Sequence, residues 1–135
     1  MSNPGWALQV AVFQALNGNL TGASGQNVPI YDGIAPQGSR YPYVILDSQA
    51  MAPDDPLASR RDMRFVYLSV WSTYRGQMEV HQILGQAYEL LHEERLPMAD
   101  GYRMVRIRVT RQQTSRDADE ATYMGTLTLE ARIEH

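Results

Sequence analysis

Met63-Arg64-Phe65-Val66-Tyr67-Leu68-Ser69-Val70-Trp71-Ser72 is the stretch on which the fold turns. Its aromatic and β-branched residues suit a pleated strand. Phe65, Tyr67 and Trp71 fall on one face, and Val66, Leu68 and Val70 on the other. A strand that is apolar on both faces needs cover on both. In a two-layer domain the helices cover only one side of the sheet. The second side then calls for an oligomeric partner, or for a long loop of the same chain, such as Ala50 to Arg61, folded over it.

Working outward, Gly76 breaks the strand, and Gln77 to Glu94 reads as a helix. Val80, Ile83, Leu84, Ala87, Leu90 and Leu91 form its apolar stripe, and Pro97 lies just past its end. Upstream, Tyr43-Val44-Ile45-Leu46 predicts a strand that Asp47 and Ser48 continue. Ala50 to Ser59, with two prolines and Asp54-Asp55, predicts a long exposed loop. Downstream, Arg103 to Gln112 alternates, with Val105, Ile107 and Val109 opposite Met104, Arg106, Arg108 and Thr110. Thr122 to Glu134 places Tyr123, Leu127, Leu129, Ala131 and Ile133 on one face. Gln113 to Glu120 between them predicts a hairpin loop.

The N-terminal segment from Gly5 to Leu16 predicts a first helix. Asn3 serves as its cap, with Pro4 in the first turn and Asn17-Gly18-Asn19 as the stop. Trp6, Val10 and Phe13 recur at helical spacing, and Leu8, Val12 and Leu16 widen the stripe. Thr21 to Asn27 predicts a loop and Val28 to Tyr31 a short strand. The order α-β-β-β-α-β-β predicts an α+β fold of two layers, with a mostly antiparallel or mixed sheet and both helices on one face.

The chain has 135 residues, a net charge of −3 and no cysteine. That length predicts one domain over residues 1–135, large enough to bury its own core without a disulfide or metal. Cysteine-based zinc sites and nucleophiles are excluded. No apolar run approaches the ~20 residues that span a membrane, and Met1 to Pro4 lacks the basic start of a signal peptide. All twelve basic residues are arginine. The mildly acidic balance argues against a general nucleic-acid binder.

No catalytic, cofactor-binding or metal constellation emerges. His81 and His92 lie on one predicted helix but about 16 Å apart along its axis, too far to share a metal. His135 is terminal. Asp117, Asp119 and Glu120 lack the glycine and distal glutamate of a calcium loop. Asp54-Asp55 reads as a solvated turn, and no phosphate loop or nucleophile elbow is present. Charge is segregated by element. Five acids against Arg95 leave −4 from Gly76 to Asp100, whereas five arginines without an acid leave +5 from Arg103 to Arg116. Arg60, Arg61 and Arg64 cluster at a strand entrance beside Asp54 and Asp55. With Trp71, these residues are the candidate contacts to a neighbouring subunit or partner, since arginine forks suit interfaces.

Several local signatures then coincide in order: Ala7-Leu8-Gln9-Val10-Ala11-Val12-Phe13-Gln14-Ala15-Leu16, Ile30-Tyr31-Asp32, Tyr41-Pro42-Tyr43-Val44, Val70-Trp71-Ser72, Gly76 before Ile83-Leu84, and Tyr123-Met124-Gly125-Thr126-Leu127-Thr128-Leu129. Over nearly its whole length the chain resembles the tail completion, or tail terminator, proteins of long-tailed phages and phage-derived gene transfer agents. The resemblance implies a virion protein without cofactor or catalysis, forming a sixfold homo-oligomeric ring. Such a ring caps the finished tail tube, stops its polymerisation and joins it to the head connector. Its partners would be the tail tube protein and the head-tail connector protein, with DNA only as cargo through the ring and no membrane. A connector or stopper subunit is the neighbouring alternative. A small ligand-binding domain using Phe65, Tyr67 and Trp71 as a pocket is the alternative from another class.

Overall fold

The computed structural model describes residues 3–53, 61–116 and 121–134. In chain order the elements are α1 (Pro4–Leu16), β1 (Ile30–Asp32), β2 (Tyr43–Pro53), β3 (Arg61–Ser72), α2 (Met78–Leu91), β4 (Arg103–Arg116) and β5 (Tyr123–Glu134). The fold is therefore the α+β arrangement predicted above. The five strands form one sheet in the order β1-β2-β3-β5-β4. β1 runs parallel to β2, and every other neighbouring pair is antiparallel.

Both helices pack on the sheet face that carries Val44, Leu46, Val66, Leu68, Val70, Leu127, Leu129 and Ile133. α1 begins where predicted: the Asn3 side chain accepts from the backbone N–H groups of Gly5 and Trp6 at 2.8 and 3.4 Å, and Pro4 occupies the first turn. Its buried face differs from the expected one. Ala7, Leu8, Ala11, Val12 and Leu16 point inward, leaving Trp6 and Phe13 exposed and Val10 half-buried.

α2 buries Val80, Ile83, Leu84, Ala87 and Leu91 as expected. It sits on Gly125 of β5, where an added Cβ would lie 2.5 Å from Val80 Cγ1 and 2.9 Å from Leu84 Cδ1. The glycine is needed for that close approach, not for an unusual backbone angle. The same helix clasps the loop after α1. Buried Glu79 accepts from the Ser72 hydroxyl at 2.6 Å and from the Ala23 N–H at 2.8 Å. Gln86 accepts from the Thr21 N–H at 2.7 Å, and Gln82 donates to the Gly22 carbonyl at 2.9 Å.

Three boundaries need correction. The strands run further than predicted: β2 continues to Pro53 and β3 begins at Arg61, so Ala50 to Pro53 pairs in the sheet with Asp62 to Phe65 instead of looping over it. β4 likewise extends through Arg116, into the segment read as a hairpin loop. The clean alternation assigned to β4 is broken by irregularities between Met104 and Arg106 and between Val109 and Arg111. One extra residue reverses the side-chain parity, so Met104 and Ile107 are both buried. A third irregularity, between Leu46 and Ser48, turns Gln49 toward the helix layer, where it donates to the Gly5 carbonyl at 2.8 Å.

Two variants and one surface control test this core. Glu79→Ala strands the buried Ser72 hydroxyl and the half-buried Ala23 N–H, and is expected to lower unfolding free energy by about 1–3 kcal/mol, while the exposed Glu89→Ala stays within about 0.5 kcal/mol. Gly125→Val should cost at least about 1–3 kcal/mol by overpacking against α2. Urea unfolding midpoints check both.

Candidate interaction surface

Strand register identifies the residues on the other face of the sheet. From β3 these are Met63, Phe65, Tyr67, Ser69 and Trp71, flanked by Tyr43, Ile45, Ser48, Ala50 and Ala52 of β2 and by Met124, Thr126, Thr128, Glu130 and Arg132 of β5. β1 adds Tyr31, and β4 adds Arg106, Arg108, Arg111, Gln113 and Ser115. Tyr67 is exposed, and Phe65 and Trp71 are half-buried. Neither helix lies on this face. It has an aromatic half toward β1 and an arginine half toward β4.

In the aromatic half, Tyr41 stacks on Tyr43 with centroids 5.0 Å apart, and Tyr31 meets Tyr43 edge-on at 5.8 Å. Burial, and next the hydrogen bond with Tyr41, push the Tyr43 hydroxyl up to about 12. At the centre, the Trp71 indole N–H donates to the Ser69 hydroxyl at 2.9 Å, and Ser69 bonds to the Asp47 carboxylate. Asp47 is the extra residue of the β2 irregularity. Asp47 is an exposed residue, but partial desolvation of its carboxyl raises its pKa above the ordinary value, and the Ser69 bond opposes that shift only in part. The indole, hydroxyl and carboxylate thus form one polar chain, at whose end Asp47 shares a cavity with Tyr67, Arg111, Gln113, Thr126 and Thr128.

The arginine half is built around Glu130. Arg106, Arg108, Glu130 and Arg132 line a cavity of about 90 Å³. Arg108 and Arg132 each stand 3.7 Å from a Glu130 oxygen, so these are ion pairs too long to be hydrogen bonds. Arg106 reaches over the sheet edge to Glu93 at 2.9 Å and holds that carboxyl below its usual range, chiefly through the hydrogen bond. Arg103 pairs with Glu134 at 2.8 Å, and Arg111 donates to Gln113 at 2.9 Å. Arg106 thus joins the arginine-rich strand to the acidic segment after α2, and Arg103 and Arg108 turn to carboxylates of β5 instead.

The outer edge of β4 is also occupied. Just past α2, the Glu93 N–H donates to the Ile107 carbonyl at 2.8 Å, and the Val109 N–H donates to His92 Nδ1 at 3.0 Å. Tyr88 stacks on His92 with centroids 4.5 Å apart. His92 caps a sheet edge that would otherwise be free to pair with another strand. Nothing in the spacing of the histidines signals this role, because its partner is a backbone group 17 residues away.

Of the sequence-predicted contact residues, Arg61, Arg64 and Trp71 lie within the described structure. Arg61 and Arg64 open β3, where Arg64 pairs with Asp62 at 3.1 Å and both side chains are largely covered. Trp71 closes the same strand, so the two groups stand at opposite ends of β3. Asp54, Asp55 and Arg60 lie outside the described residues. So do Asp117, Asp119, Glu120 and His135 from the search for chemistry. Among the described residues, no group of three or more His, Cys, Asp or Glu side chains is placed to hold a metal, and no helix is long and apolar enough to cross a membrane.

A family model described as tail completion protein gp17 matches residues 10–134. A chain from the virion of a native gene transfer agent particle shares the fold with a TM-score of 0.85, at 21% identity, with all of both chains covered. No protein of curated function matches the sequence.

The Asp47 carboxyl yields a pH prediction. Its pKa is higher folded than unfolded, so the wild type gains stability as pH falls through the raised value toward the ordinary carboxylate range. Asp47→Asn removes the desolvated charge. It is expected to raise the thermal midpoint at pH 7, with the difference from wild type shrinking as the pH is lowered. Calorimetric melts over that range read it directly.

Proposed function

We propose, on the premise that this chain belongs to the family of tail completion protein gp17, that it forms a ring at the head-proximal end of a phage-type tail. It is a structural protein of the tail and no enzyme. The ring, taken as a hexamer, caps the finished tube, stops its polymerisation and joins it to the connector at the head, with DNA as cargo through its opening. Tail tube protein and head-tail connector protein are its partners.

One observation carries this reading: a five-stranded sheet whose helix-free face presents Phe65, Tyr67 and Trp71 beside the Arg106, Arg108 and Arg132 cluster. A patch that combines aromatic groups and arginines has the composition of a protein interface. Asp54, Asp55, Arg60, Arg61, Arg64 and Trp71 remain proposed contacts to the neighbouring subunit or the tube. Arg64 would contribute there in the company of Asp62, its partner within the subunit.

Tyr67→Asp tests the reading. The side chain is 38% exposed, so the subunit should stay folded with a loss of no more than about 1 kcal/mol. A carboxylate in the centre of the face should nevertheless block assembly and give tails of uncontrolled length or without heads. Electron microscopy of particles made with the variant decides. Tails of normal length bearing heads would mean that this face meets only solvent.

A further inference from the structure

The outer side of α1 is more apolar than a solvent face requires. Trp6 is 60% exposed and Phe13 is 37% exposed. With Val10, Gln9, Leu46 and Asp32 they line a groove of about 290 Å³ along the β1 edge of the sheet. Asp32 is exposed, and Gln9 holds one of its carboxylate oxygens at 2.7 Å. The groove is thus an apolar trough with an oriented acid at its rim.

The opposite edge of the same sheet has complementary chemistry. Arg106 is committed to Glu93, but Arg108 stands 3.7 Å from the Glu130 carboxylate and is 44% exposed at the side chain. Its guanidinium therefore keeps most of its donors for water or a further acceptor. Val105 and Val109 of this edge are half-buried, and Tyr88 beside it is exposed. His92 and Glu93 already take the Val109 N–H and the Ile107 carbonyl, so a neighbour meets this part of the edge through side chains and not by adding a strand.

We propose that the α1 groove receives the β4 edge of a second copy, with Asp32 paired to Arg108 of the neighbouring subunit and Trp6, Val10 and Phe13 covered by the contact. Because β1 and β4 are the two ends of one sheet, the contact is head-to-tail and leaves both surfaces available to the next copy. Repetition of such a contact closes a ring when the rotation permits. The inference rests on the ring reading and specifies which surfaces meet.

The chain has no cysteine, so every cross-link between copies of it runs through the introduced thiols. Particles are made with Asp32→Cys, Arg108→Cys or both, purified, treated with a short bismaleimide and run on a denaturing gel. The double variant is expected to give a ladder of covalent oligomers ending at the ring number, and each single variant only monomer. Gln14→Cys with Thr110→Cys, two exposed positions near the same surfaces, serves as the second pair should loss of the charges keep subunits out of particles. Monomer alone from both double variants, with the protein present in particles, overturns the contact. Dimers from a single variant overturn it in favour of a twofold arrangement, and a cross-link to a different protein assigns the groove to that partner. Absence of the wild-type chain from particles overturns the ring reading itself.

Discussion

Two helices of 13 and 14 residues lie on a sheet five strands wide, and they can bury only one of its faces. Each helix spans about 20 Å, while a 12-residue strand runs about 40 Å. Every apolar residue that the helices do not reach must find cover elsewhere or face water. Val66, Leu68 and Val70 are covered within the subunit, whereas Tyr67 on the reverse of the same strand is exposed and Phe65 and Trp71 are half-buried. The proposed assembly follows from this asymmetry, because association removes apolar area from water that folding alone cannot.

The helix layer is held at its position by steric and polar constraints acting together. Gly125 admits α2 close to β5, and the polar residues Glu79, Gln82 and Gln86 of the same helix tie down the loop from Thr21 to Ala23. A buried carboxylate is tolerated because a hydroxyl and an N–H both serve it, and because it lies in the first helical turn, where backbone N–H groups favour negative charge. The end of α2 then passes directly into the His92 and Glu93 contacts that occupy the β4 edge. One helix thereby fixes a loop, a sheet face and a sheet edge. Its exact seat governs both the core and the surface offered to a neighbour.

Assembly in this chain combines features of opposite character. Arg103 and Arg106 find carboxylates at home, while Arg111 donates to the neutral Gln113 and keeps its charge, so a surface that looks strongly basic in sequence is less so in the folded subunit. Exposed pairs of this sort contribute little to stability, about 0–1 kcal/mol each. Their effect is to position side chains and to limit the charge left over for a partner. The apolar groove on α1 and the aromatic half of the open face carry the area, and the remaining charges at Asp32 and Arg108 supply orientation.

Periodicity in the sequence was enough to determine seven elements in their order, the α+β class, the inward faces of α2 and β5, and the Asn3 cap, since each depends on local alternation or local hydrogen bonding; which of the two apolar faces of β3 turns inward it left open. The resemblance over the whole chain led to the family. Tertiary structure decided the rest. An extra residue at Asp47, or between Met104 and Arg106, reverses the side chains that follow it, in β4 until the second irregularity after Val109 restores them, and no local propensity marks the site. Trp6 and Phe13 satisfy a helical stripe as well as Leu8 and Val12 do, and only packing against the rest of the chain makes Ala7, Leu8, Ala11, Val12 and Leu16 the buried set. The exposure of one sheet face, the pairing of the arginines and the capping of β4 by His92 all depend on contacts between residues distant in the chain. Such contacts arise from how the layers pack, which no single segment encodes.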